Sequence, residues 1–410
     1  MYTPRVVDAL LASSLRRTGA VLVEGAKATG KTETATRQAG SVVRLDVDEQ
    51  AREAARIDPR LLLEGDRPRL LDEWQLFPGL WDHVRRAVDD AEDPGQFLLT
   101  GSATPRDDER RHSGAGRFST LRMRPMSVHE LGASSDEVGL QELFAGADPS
   151  ATRSALELGD TLELLVNGGW PRQIRRPDPR FVVDYLEQII HVDINDVGTN
   201  TRRRDPDKVR ACVASLARNV ATAAGDATIA KDIDVQRATV DTYLGALQRL
   251  MITEDQPAFN VHLRSSRNLR STPHRHFVDP SLATAALRTS VDALLQDLPF
   301  AGLLFESMVV RDLRVLSQPL DGVVRYFHTD DHEIDVIVDL PDGRWAAIEV
   351  KLGGRELIDA AAASLLAAVD SIDPDRTPRP AFKAIVTATG RYAYRRDDEV
   401  LILPLGTLRP

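Results

Sequence analysis

The stretch Val21–Thr32, VLVEGAKATGKT, decides how this 410-residue chain is read. An apolar run reaches Gly25, four residues follow, and Gly30-Lys31-Thr32 completes the pattern GxxxxGK[ST]. That is a strand running into a phosphate-binding loop. Glycines at 25 and 30 let the backbone turn so tightly that successive N–H groups, in a loop that holds Gly25, Ala26, Thr29 and Gly30, point at one anion. Lys31 adds positive charge. Thr32 opens the next helix, so its hydroxyl can ligate Mg²⁺ while the helix N-terminus faces the β-phosphate. ATP and Mg²⁺ are therefore the expected ligands.

Outward from the loop, RPRLLDEWQLFP places Asp72-Glu73 at the end of an apolar run about 40 residues on. A phosphate-loop site needs one acid to hold the metal and another to orient the attacking water, so Asp72 is assigned to the metal and Glu73 to the base. Gln96–Ser102, QFLLTGS, is a further strand ending in hydroxyls; Ser102 could sense the γ-phosphate, and a turn of small residues would leave the same pattern. SGAGRF sets Arg117 after a Gly-rich loop, a position suited to reaching a nucleotide in its own or a neighbouring subunit. The leading segment Val6–Arg17 has apolar residues at helical spacing and is expected to cover the sheet.

Taken in order, GAKATGKT, LLDEWQ, FLLTGS, GAGRF and RPMSVHEL resemble a large family of prokaryotic AAA-type ATPases whose C-terminal half is a domain of unknown function. The resemblance runs through most of the chain and implies an α/β fold, a doubly wound parallel sheet with nucleotide at the carboxyl ends of its strands. Trp74 departs from it, where a smaller aliphatic residue is usual. In related ATPases a Gly-x-Pro turn in a helical lid lies against the nucleotide; Gly169-Trp170-Pro171 fits that pattern, which gives Pro171 a nucleotide contact, and a plain helix-to-helix turn reads equally well.

The length calls for two or three domains. One cysteine, Cys212, excludes a disulfide framework and a cysteine-based zinc site. No signal peptide or membrane span is visible, so a cytoplasmic protein is expected. A net charge of −10 confines any nucleic-acid contact to a local patch, and with only six of 52 basic residues being Lys, arginine position carries more weight than arginine count.

Four segments are expected: an ATPase core over 1–132, a helical lid over 133–205, a winged-helix-like domain over 206–276 and a C-terminal domain over 277–410. In the third, Val240, Leu244, Leu247 and Met251 form one helical face, with Gln236, Arg237, Thr239 and Gln248 away from it. The stretch from Arg264 to Arg275 carries four arginines and no acid, a wing that could touch DNA phosphates; an internal scaffold is the competing reading.

In the last segment, VVRYFHTDDHEIDVIVDL and RWAAIEVKLG form a hairpin-like pair. Side-chain direction repeats every two residues, so Glu349 and Lys351 share a face near Asp335. Asp335, then Glu349-x-Lys351, matches the signature of restriction-endonuclease-like nucleases, and Glu306 occupies the helix position where many of these carry a further acid. That resemblance implies a mixed α/β domain in which Asp335, Glu349 and Glu306 hold Mg²⁺ and Lys351 is catalytic, positioning water or stabilising developing charge. Three readings stay open: an ATP-controlled enzyme on DNA, an ATP-switched regulator whose C-terminal domain binds without cutting, and a remodelling motor in an oligomeric ring. Tyr392, Tyr394, Arg395 and Arg396 read as an exposed loop.

Overall fold

The computed structural model describes residues 2–91, 93–102, 113–149, 152–197, 203–261 and 272–410. They gather into two compact units. The first is Met1–Pro125 with His191–Arg204 and Gly245–Ile252; the second is Met126–Ile190, Asp205–Leu244 and Thr253–Pro410.

In the first unit the apolar runs on either side of the phosphate loop become strands because each can be buried on both faces. β1 (Ala20–Glu24), β2 (Ser41–Arg44), β3 (Arg69–Asp72), β4 (Phe97–Gly101) and β5 (Phe118–Arg122) lie in the order β2-β3-β4-β1-β5, with every pairing parallel. Alternation divides their side chains. Val21, Val23, Leu70 and Leu98 pack with Val7, Leu11 and Leu15 of the helix Val6–Leu15. Ala20, Leu71, Phe97 and Leu99 pack on the opposite side with Leu80 and Val84 of the helix Leu80–Asp90. Trp74, larger than the usual residue, is buried in that second cluster with its ring 5.2 Å from that of Trp81. A parallel sheet puts the carboxyl ends of all its strands on one edge, so the residues that follow β1, β3 and β4 meet there.

The second unit carries β6 (Val138–Gly139), β7 (Thr152–Arg153), β8 (Thr253–Gln256), β9 (His274–Phe277), β10 (Val323–His328), β11 (Glu333–Asp339), β12 (Trp345–Lys351), β13 (Phe382–Thr387), β14 (Tyr392–Arg395), β15 (Val400–Pro404) and β16 (Leu408–Arg409). Seven form a mixed sheet in the order β10-β11-β12-β13-β15-β14-β7. β10, β11 and β12 are an antiparallel meander; β12, β13 and β15 run parallel, which requires the crossover helix Arg355–Asp370. Ala361, Leu365 and Ala368 of that helix bury against Ile337, Ala347 and Ile385. The helix Leu298–Leu316 packs on β10, β11 and β12.

The stretch 133–205, expected to form a helical lid, does contain the helices Leu158–Asn167 and Phe181–Gln188 but also β6 and β7. These strands are two residues long, too short for any periodicity, and exist through pairing: β6 with β16 and β7 with β14. Tyr392 and Tyr394 likewise sit on β14 rather than in a loop. Helices Pro206–Arg218, Asp226–Asp232 and Arg237–Arg249 precede the antiparallel pair β8 and β9, and Val240, Leu244, Leu247 and Met251 are all buried, as their spacing implies. Among the described residues no helix is long and apolar enough to cross a membrane.

Candidate functional site

At the carboxyl end of β1 the chain turns directly beneath Met123, whose N–H donates to the Glu24 carbonyl at 2.7 Å. A Cβ on residue 25 would lie 2.1 Å from the Met123 carbonyl oxygen, so the turn admits only glycine there. Ala28 and Gly30 take positive φ, 63° and 98°, and the helix Lys31–Thr36 starts at once. The Ala26 carbonyl accepts from Thr29 Oγ1 at 2.9 Å and from Lys31 Nζ at 2.8 Å, which ties the two ends of the loop together. Burial lowers the Lys31 ammonium pKa to about 8, against the pull of Glu73 and Asp72.

Thr32 Oγ1 donates to Asp72 Oδ1 at 2.8 Å, and Thr100 Oγ1 donates to that same oxygen. Asp72, at the end of β3, is 4% exposed. Sheet register explains the convergence: β4 lies between β1 and β3, so the end of the hydroxyl-bearing strand faces Asp72 on one side and the phosphate loop on the other. Glu73 follows in a left-handed turn (φ 54°) and accepts from Gln75 Nε2 and, at 3.2 Å, from Ser102 Oγ. Ser102 thus stands beside the acid assigned as base. Thr32 and Asp72 form a hydroxyl–carboxylate pair of the kind a hydrated Mg²⁺ requires, and the donor set fits the ion.

Arg117 is not brought to this edge. Its carbonyl accepts from the N–H of Ala20, where β1 begins, while the phosphate loop follows the last residue of β1, about 15 Å away at ~3.3 Å per residue. Its guanidinium pairs with Asp89 at 2.7 Å. A reach to the nucleotide of its own chain is therefore corrected; the arginine that parallel pairing does bring to the loop is Arg122, beside Glu24 at 3.1 Å. Reading the sequence alone missed Arg122 and Arg5. Arg5 donates to the Thr29 carbonyl at 2.8 Å and to the Arg124 carbonyl at 2.7 Å, clamping the loop from the N-terminus. Nothing local marks either residue, because their partners lie far away in the sequence.

Pro171 belongs to the second unit, where it opens the helix Pro171–Arg175. The turn before it is held inside that unit. Gly169 N–H donates to Asp279 Oδ2 at 2.9 Å, Trp170 Nε1 donates to Ser281 Oγ at 3.0 Å, and a Cβ on Gly169 would meet the Met126 carbonyl oxygen at 2.1 Å. These contacts fix the Gly169 and Trp170 end of the turn. Arg311 completes the group, with Nη1 2.8 Å from Asp279 Oδ2 and a bidentate pair to Asp312 Oδ1; Asp312 Oδ2 accepts from Val128 N–H at 2.8 Å.

In the C-terminal sheet Asp335, Glu349 and Lys351 do come together. Lys351 Nζ lies 3.1 Å from Asp335 Oδ2 and 2.8 Å from Glu349 Oε2, and Val350 N–H donates to Asp335 Oδ2 at 2.8 Å. Burial first, and the Asp335 charge second, push the Glu349 carboxyl up to about 8. Glu306 is raised well above the usual carboxyl range by the same two causes, and the two carboxylates raise Lys351. Among the described residues no group of three or more His, Cys, Asp or Glu side chains is assembled to hold a metal ion. The cation between the carboxylates is the lysine. Glu306, Asp335 and Glu349 as a three-acid metal cage are thus not assembled, because Lys351 lies where the two strand acids converge.

A buried chain of polar groups, unmarked in the sequence, braces this site. Gln256 Nε2 donates to the carbonyls of Arg325 (2.8 Å) and Asp335 (3.0 Å), beside the register shift between β10 and β11. Its Oε1 must then accept from His276 Nε2 at 2.9 Å, leaving Nδ1 to accept from Ser307 Oγ at 3.1 Å. Burial holds His276 neutral, its pKa well below the usual range. Of the arginine wing, Arg264, Arg267 and Arg270 lie outside the described residues; Arg275 is committed to an ion pair with Asp226. Arg395 and Arg396 are likewise paired, with Asp148 and Glu399 and with Asp359 and Asp398.

Residues 17–132 match the model of an AAA domain, residues 159–293 that of a domain of unknown function (DUF8612), and residues 301–408 that of another (DUF4143). Two curated relatives, uncharacterized proteins of Mycobacterium bovis and Mycobacterium tuberculosis, are each 26% identical over 353 residues, covering 85% of this chain and 73% of the relative.

Proposed function

We propose that the chain binds and hydrolyses ATP at the phosphate loop. The observation that carries this reading is the meeting, at one edge of a parallel sheet, of the Thr32 and Thr100 hydroxyls on Asp72 beside a loop closed by Lys31 on the Ala26 carbonyl. Backbone N–H groups of Gly25 to Gly30 and the Lys31 ammonium hold the phosphates. Thr32 and Asp72 would hold Mg²⁺, which would supply neutralisation of the phosphate charge. Glu73, steadied by Gln75 and Ser102, orients the attacking water and accepts its proton. Lys31→Ala is expected to remove ATP binding in calorimetry, and unchanged affinity would defeat the reading. Glu73→Gln should keep binding and slow turnover by about 10²- to 10³-fold.

For the C-terminal domain, the antiparallel meander, the crossover helix and the Asp335, Glu349 and Lys351 group support a restriction-endonuclease-like origin. The Lys351 ammonium bonded to both Asp335 and Glu349 supports the regulator reading, a domain that binds DNA or protein without cutting it. Purified protein given divalent metal with plasmid, linear and single-stranded substrates tests this, and cutting that Asp335→Ala abolishes would return the nuclease reading to first place. DNA contact through the wing rests on Arg264, Arg267 and Arg270; reversing all three to Glu should weaken a strongly salt-dependent affinity.

A further inference from the structure

The phosphate loop holds a second lysine that the hydrolytic scheme does not use. Lys27, at the crest between Gly25 and Gly30, reaches Asp193 with Nζ 2.6 Å from Oδ1. The two ends of this pair differ: the Lys27 side chain is 48% exposed and the Asp193 side chain 4%. Asp193 Oδ2 is also buried and has no hydrogen-bond partner among the described residues. A buried carboxylate with one oxygen unsatisfied depends on the cation that holds the other. Asp193 closes a π-helical turn, Ile189–Asp193, a strained form of helix that concentrates at functional positions. It lies in His191–Arg204, a segment that packs with the first unit although the chain on either side of it, up to Ile190 and from Asp205, belongs to the second.

We infer that Lys27 and Asp193 form a latch that nucleotide phosphate opens. The inference rests on the phosphate loop being a nucleotide site. A lysine at the crest is within a side chain's length of the anion that the loop N–H groups surround, so a triphosphate competes with Asp193 for the same ammonium. When the phosphate takes it, Asp193 loses its cation and the turn at Ile189–Asp193 loses its anchor to the loop. The nucleotide state is thereby passed to a segment whose two ends continue into the rest of the chain. Asp193 is a positioning residue here: it sets where Lys27 stands and never touches the reacting atoms.

The test uses the full chain with Mg²⁺ and ATP, calorimetry for affinity and hydrogen exchange over 189–197. Asp193→Asn should tighten ATP about five- to tenfold by releasing Lys27 from Asp193, and should change affinity less than about twofold in a Lys27→Met background. ATP should speed exchange over 189–197 in the wild type, Lys27→Met should show fast exchange with or without ATP, and Lys27→Arg should restore the nucleotide dependence. Equal effects of Asp193→Asn in both backgrounds, or exchange that ATP leaves unchanged in the wild type, would overturn the latch. Should Asp193→Asn fail to fold, the wild-type exchange result decides. Unchanged ATP affinity in Lys31→Ala would instead defeat the nucleotide site itself, so the two failures are distinguishable.

Discussion

Glu349→Gln should make the second unit more stable at pH 8, relative to the wild type, than at pH 5. The wild-type carboxyl titrates at about 8 in the folded chain and near 4.5 when exposed, so the folded state holds its proton across a span of about 3.5 pH units. The stability this contributes is fully present below pH 4.5 and is lost as pH rises through 8. At ~1.4 kcal/mol per pH unit the ceiling is about 5 kcal/mol. Lys351 and Asp335 share the site, and half that ceiling would already move a unit of this size by roughly 5 °C or more. Glutamine keeps the shape and the acceptor for Lys351 while removing the titration. Denaturant unfolding of both proteins from pH 5 to pH 8 measures the difference, and parallel pH profiles would refute the assignment of a buried, proton-holding Glu349. The same experiment with Mg²⁺ separates lysine from metal as the counter-cation: stability restored at pH 8 by Mg²⁺ in the wild type, and not in the variant, would show that the carboxylates accept a metal in place of Lys351.

Lys31 titrates in the opposite sense. Its pKa is lowered to about 8 and phosphate favours its charged form, so the ATP dissociation constant should rise above about pH 8, by up to tenfold per pH unit; a flat calorimetric profile to pH 9.5 would exclude it. Gly25→Ala sets a methyl against the immobile Met123 carbonyl and should cost about 1–3 kcal/mol in urea unfolding along with most ATP affinity, whereas native stability would show that the turn can relax. Arg117→Ala should leave ATP affinity within about twofold, since Arg117 is paired with Asp89 at the far edge of the sheet; turnover that falls in this variant and depends on protein concentration would mark an arginine acting in a neighbouring subunit. His276→Leu keeps the ring's apolar bulk but takes away the bonds it makes to Gln256 Oε1 and Ser307 Oγ, and should destabilise the second unit by about 2–4 kcal/mol in the same unfolding assay.

What the sequence shows of this site is what a short window of residues can carry. GAKATGKT is one continuous turn, and Thr32, Asp72 and Thr100 meet because a parallel sheet sends every strand's end to the same edge, so a motif at the end of each strand suffices. Arg117 misleads for the complementary reason: it precedes its strand rather than following it, and a GRF pattern does not say where the strand begins. Arg122 beside Glu24, Asp193 beside Lys27 and the Gln256–His276–Ser307 chain join residues that only folding brings close. The alternation in EIDVIVD and WAAIEVK fixes the shared face of Asp335, Glu349 and Lys351, but which cation stands among them depends on side-chain reach.

The Arg311 cluster bears on how the molecule can be dissected. One guanidinium, 2% exposed, ties Asp279 to Asp312; Asp279 also takes the Gly169 amide and Asp312 the Val128 amide. Four stretches far apart in sequence thus close around one charge. A fragment starting at residue 277 keeps the arginine and both acids but leaves behind Val128 and Gly169, so Asp312 Oδ2 faces an exposed scar instead of an amide. Fragments cut between the core and the C-terminal domain by order along the chain would therefore sever the interior of one folding unit, and activities assigned by truncation would report misfolding. A C-terminal fragment that keeps this cluster whole must include Val128 and Gly169.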